Sequence, residues 1–176
     1  MLRRFLAPLV ALSVQAAILW ALPGGRLEAL ASGTPVVLAT APVDPYDLLS
    51  GWYTTLTYEV ERPPKELRPA ELTEGEQLFV TVERAEPAWR LVGVARERPA
   101  PRPDRASLAA TAGRSGRVRL VGLDRFYMPE QQREEIAGRM REARQQALVE
   151  LRVLPDGTAA LVALRIGDAR FGRPPR

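Results

Sequence analysis

The chain has 176 residues, a formal net charge of +4, 16 prolines, and neither cysteine nor histidine. The two absences exclude thiol nucleophiles, Ser-His-Asp triads, Cys/His zinc sites and the usual titrating switch near neutral pH. Every basic residue except Lys65 is an arginine. Removing residues 1–31 takes away Arg3, Arg4, Arg26 and Glu28 and leaves the rest nearly balanced, so the clustered basic face that nucleic-acid binding requires is not expected.

The chain begins MLRRFLAPLVALSVQAAILWALPGG. Two arginines precede an apolar run, Phe5 to Leu22, which as a helix would span about 27 Å against a bilayer core of about 30 Å. Trp20 suits the membrane interface, and Pro23-Gly24-Gly25 suits a helix end. Arg3 and Arg4 keep the N-terminus cytoplasmic, which exports the remainder. The competing reading is a cleaved signal peptide, for which Ala29-Leu30-Ala31 fits the cleavage pattern, although Arg26 and Glu28 intervene. Residues 1–31 are therefore read as a membrane anchor or signal segment, and 32–176 as an exported domain.

Pro35 to Ala39 is a short β-rich run, followed by an extended stretch with Pro42 and Pro45. Ser50-Gly51 signals a turn. Trp52 to Glu61 alternates as a strand, with Trp52, Thr54, Leu56 and Tyr58 on one face and Tyr53, Thr55, Thr57 and Glu59 on the other. A polar, proline-bearing loop leads to Leu78–Arg84. That strand puts Leu78, Val80 and Val82 on one face and forms a hairpin with Trp89–Ala95. Arg96 to Gly116, with its alternating prolines and charges, reads as the least structured part. Arg117 to Leu123 is another strand. Pro129 suits the first residue of a helix carrying Glu130, Glu134 and Glu135 early and Arg139, Arg141 and Arg144 late. Its apolar stripe is Ile136, Met140, Ala143 and Ala147, and Glu135 with Arg139 forms an i,i+4 pair. A final hairpin turns at Pro155-Asp156-Gly157. The expected fold is α+β and mostly β: an N-terminal transmembrane helix, then a small antiparallel-sheet domain of six or seven strands with one amphipathic helix.

Few residues suggest chemistry. Asp44, Asp47 and Glu59 lack the dense oxygen spacing and glycine turn of a hard-cation loop. Ser50, Thr54 and Ser107 have Lys65 as their only conceivable lysine base. Gly113 to Gly116 is too short for a phosphate loop. No cofactor is expected. Tyr53 and Tyr58 are five residues apart, so on a regular strand their rings point to opposite faces: one to the core, one to a rim.

GWYTTLTY, at 51–58, resembles the motif of the GDYXXLXY family, a bacterial family well represented in cyanobacteria. Gly51, Tyr53, Leu56 and Tyr58 match, while Trp52 stands where the family has aspartate. The preceding PVDPYDLLSG, the later VGLDRFYMPE and the closing LPDGTAALVALRIGD are similar to further shared stretches, in order. The resemblance implies a membrane-anchored protein without assigned activity, partnered by a polytopic membrane protein. On this reading the chain is a non-enzymatic accessory or interaction domain. The alternative is a ligand-binding or hydrolytic module whose pocket would use Asp124, Tyr127, Pro129 and Glu130 together with Tyr53.

Overall fold

The computed structural model describes residues 24–41, 53–127, 130–142 and 146–172, together with Leu12 and Gln15. The apolar run Phe5–Leu22 lies outside the described residues apart from those two positions. Among the described residues no helix is long and apolar enough to cross a membrane.

The fold is α+β and mostly β, with every strand pairing antiparallel. Ten strands occur among the described residues: β1 (Thr34–Ala39), β2 (Tyr53–Thr55), β3 (Gln77–Glu83), β4 (Arg90–Ala95), β5 (Arg105–Ala112), β6 (Val118–Leu120), β7 (Arg125–Tyr127), β8 (Leu148–Val153), β9 (Ala159–Ile166) and β10 (Ala169–Gly172). One four-stranded sheet has the order β1-β8-β9-β10 and another β4-β3-β5-β6, while β2 and β7 form a separate ribbon. Alternating side chains from both large sheets enter one continuous core. Val36, Leu38, Val149, Leu151 and Leu164 come from the first sheet; Leu78, Val80, Val82, Leu108 and Leu120 come from the second.

Among the described residues two α-helices pack against the sheets. Helix α1 (Gly24–Ser32) lies against β8 and β9. Gly24 and Gly25 are helical within it, and the boundary drawn at residue 31 falls inside it. Its Ala29 is fully buried against Leu154 and Ala160. Helix α2 (Arg133–Glu142) buries Ile136 and Met140 and carries the expected Glu135–Arg139 pair at 3.0 Å. Ala147 does not extend its stripe: it precedes β8, where its backbone exchanges hydrogen bonds with Thr40. Ala143 lies outside the described residues.

The Leu78–Arg84/Trp89–Ala95 hairpin and the closing hairpin form as expected. In the latter, Gly157 adopts φ +94, its N–H donates to the Leu154 carbonyl, and its carbonyl accepts from Ala109 N–H of β5. A Cβ at Gly157 would stand 3.1 Å from that Ala109 nitrogen, so the turn needs glycine both for its backbone and for its docking.

Ten strands stand among the described residues where six or seven are expected, and two further expectations need correction. Residues 96–116 are not mainly irregular: Arg105–Ala112 forms β5, at eight residues one of the longest strands, alternating half-buried and buried throughout. Its inward residues are Ala106, Leu108, Ala110 and Ala112. Alanine has little intrinsic strand preference, and pairing with β3 and β6 supplies what local sequence does not. Nor does Trp52–Glu61 continue as one strand. Its alternation persists, with Thr54, Leu56 and Tyr58 buried, but regular pairing stops at Thr55. Beyond it the chain changes partners. Leu56 N–H donates to Asp124, Thr57 accepts from Ala41, Tyr58 bridges Thr40, and Glu59–Glu61 closes as a 3-10 turn.

Candidate functional site

The motif segment sits where the ribbon meets the core. In the ribbon Tyr53 pairs with Tyr127, Thr54 with Phe126 and Thr55 with Arg125. Strand alternation therefore buries Thr54 and Phe126 and turns the two tyrosines outward together. Their ring centroids are 5.8 Å apart at 55°, a tilted aromatic pair. The Arg125 guanidinium lies 4.9 Å from the Tyr53 centroid and 3.6 Å from the Asp124 carboxylate. A hydrogen bond to Tyr127, aided by Tyr53 and Asp124, holds Arg125 still more firmly in its charged form.

The second motif tyrosine does the opposite. Tyr58 is fully buried, and its hydroxyl donates to the Leu123 carbonyl at 2.8 Å, tying the motif to the loop before β7. Burial, with Glu61 and Asp124 nearby, pushes its phenol well above the ordinary value. Glu61 completes this tie. One carboxylate oxygen accepts from Tyr58 N–H at 3.1 Å, reaching back across the 3-10 turn; the other accepts from Leu120 N–H of β6 at 2.9 Å. Burial raises the Glu61 pKa, while the two backbone donors and Arg119 pull it down. The motif end, β6 and the β6–β7 loop are thus held together by one phenol and one carboxylate.

Beside the ribbon runs a groove of about 850 Å³, lined by Arg26 and Leu30 of α1, Gly122, Asp124–Tyr127 and the first half of β9. Arg26 donates to the Gly122 carbonyl at 3.3 Å across its mouth.

Of the expected site residues, Tyr53, Asp124 and Tyr127 come together at the ribbon, with Asp124 and Tyr127 lining the groove. Leu56 and Tyr58 face the core. Glu130 opens a 3-10 turn, Glu130–Gln132, ahead of α2, and Gln132 lines the groove. Gly51, Trp52 and Pro129, and the side chain of Glu130, lie outside what the structure describes. The conceivable serine–lysine pairing is not formed at Ser107, whose hydroxyl bonds Thr81 at 3.2 Å. Among the described residues, no three acidic side chains gather closely enough to hold a metal ion. Arg26 and Glu61 escaped sequence reasoning. Glu61 lies three residues after Tyr58, the spacing of a capping carboxylate, but its other partner is 59 positions away. Arg26 shows only an arginine beside an apolar run.

The arrangement defines an all-antiparallel domain whose shared tyrosine motif locks a ribbon to the core. A model of the GDYXXLXY family, described as GDYXXLXY protein, matches residues 15–164. The chain belongs to that family. No curated protein and no solved structure matches it.

Proposed function

We propose that the protein is a membrane-anchored, non-enzymatic accessory domain, held on the outer face of the cytoplasmic membrane and partnering an integral membrane protein. The observation that carries this reading is the use made of the motif's reactive groups. The Tyr58 hydroxyl and both oxygens of the Glu61 carboxylate are engaged with backbone atoms, which gives them an architectural task. The groups left facing outward, Tyr53, Tyr127 and Arg125, form an aromatic–guanidinium surface of the kind that makes contacts. The address comes from the basic start and apolar run at Phe5–Leu22. The family match begins at residue 15, inside that run.

Purification of the full chain from membranes in mild detergent, with mass spectrometry of what accompanies it, tests the reading. A polytopic membrane protein retained in stoichiometric amount is the expected result. A chain that always runs alone and monomeric overturns it. The alternative, a ligand-binding or hydrolytic module, draws on the groove beside Asp124 and Tyr127. Against it, Asp124 is already paired with Arg125.

A further inference from the structure

Large hydrophobic side chains are seldom left in water without a reason when several gather in one place. Among the described residues the exposed ones are Leu12, Leu27, Val121 and Tyr127. Leu12 belongs to the N-terminal apolar run. Of the other three, Tyr127 lines the groove beside the ribbon with Arg26 and Gly122, and Leu27 and Val121 are the chain neighbours of those two. Arg26 joins the two sides through its bond to the Gly122 carbonyl. The groove thus brings Tyr127 together with two arginines, Arg26 and Arg125, and exposed Leu27 and Val121 adjoin the Arg26–Gly122 contact.

Chain length limits where this rim can sit. Leu27 lies five positions beyond Leu22, the end of the apolar run, a reach of at most about 18 Å even if fully extended. If the run spans the bilayer, the rim cannot leave the headgroup region by much. The composition suits that region. Tyrosine is an amphipathic interface residue, and arginine can bury its stem while presenting its guanidinium to a phosphate.

We propose that this rim face, made of the groove-lining Arg26, Arg125 and Tyr127 with the adjoining Leu27 and Val121, rests on the lipid headgroups beside the N-terminal run. The proposal rests on the membrane-anchored reading above and adds an orientation to it: the ribbon and the N-terminal end of α1 face the bilayer, and the β8–β9 sheet stands behind them. Exposed Glu28 and the half-exposed Asp124 offset the two arginines, so contact depends on apolar insertion and does not require anionic lipid.

The natural absence of cysteine makes the test direct. Single variants Leu27→Cys, Val121→Cys and Tyr127→Cys, with Ala100→Cys and Arg114→Cys as controls lining other cavities, would carry a polarity-sensitive fluorophore. The full chain would be assembled in phosphatidylcholine nanodiscs, with the melting temperature of each variant confirming its fold. The expected result is blue-shifted emission and several-fold weaker iodide quenching at 27, 121 and 127, with the controls fully quenched. Rim positions as open as the controls, in a chain that still travels with the discs, overturn the orientation and leave the anchor standing. Rim protection that appears only after adding a membrane extract overturns lipid as the occupant and assigns the face to a protein. A chain that elutes apart from the discs overturns the anchored reading and this proposal with it.

Discussion

Replacing each motif tyrosine by phenylalanine separates architecture from surface. Tyr58→Phe removes one hydroxyl and nothing else. That hydroxyl lies in the core and donates to the Leu123 carbonyl at 2.8 Å. Its loss forfeits a buried hydrogen bond and takes a donor from a buried acceptor, a cost of about 1–2 kcal/mol. For a chain of this size that lowers Tm by about 3–6 °C. The ring itself stays, so no large cavity opens. Tyr53→Phe removes a hydroxyl from the outward face, where water can replace what is lost, and should leave Tm within about 1 °C. Thermal unfolding of the full chain in mild detergent, followed by tryptophan fluorescence, measures both. Equal shifts for the two variants, or a larger one for Tyr53→Phe, would refute the assignment of Tyr58 to the staple and Tyr53 to the surface.

Glu61→Gln should destabilise the domain, because an amide offers one acceptor where two backbone N–H groups are presented, and a buried unpaired donor costs about 1–3 kcal/mol. Because burial raises the Glu61 pKa, the folded state binds the proton more tightly than the unfolded one. The advantage of wild type over Glu61→Gln should therefore shrink as pH rises from the ordinary carboxylate range through the raised folded value, and level off above it; denaturation midpoints between pH 4 and 8 would reveal a gap that instead widens. Gly157→Ala should cost about 1–2 kcal/mol, from positive φ and from crowding the Ala109 nitrogen, in the same unfolding assay; an unchanged midpoint would mean the turn docks otherwise. Leu56→Asp places a carboxylate in the core and should abolish cooperative unfolding; circular dichroism showing a wild-type transition would remove Leu56 from the core.

Local chemistry determined much of this protein in advance. Period-two alternation at Leu78–Val82, Val118–Leu120 and Thr54–Tyr58 foretold which side chains enter the core, because a strand offers alternate residues to opposite faces wherever it pairs. The Pro-Asp-Gly turn foretold the closing hairpin, and the odd spacing of Tyr53 and Tyr58 foretold that one would be buried and the other would not. What local chemistry could not decide was partnership. The alanine-rich β5 is a strand because β3 and β6 flank it, and the motif strand ends at Thr55 because its next hydrogen bonds go to Asp124, Ala41 and Thr40. Glu61 became a staple only when folding brought the Leu120 amide to it. The rim of Leu27, Val121 and Tyr127 unites residues about a hundred positions apart. Hydrogen bonds and burial depend on which groups meet, and for distant segments that meeting is settled by the packing of the whole chain.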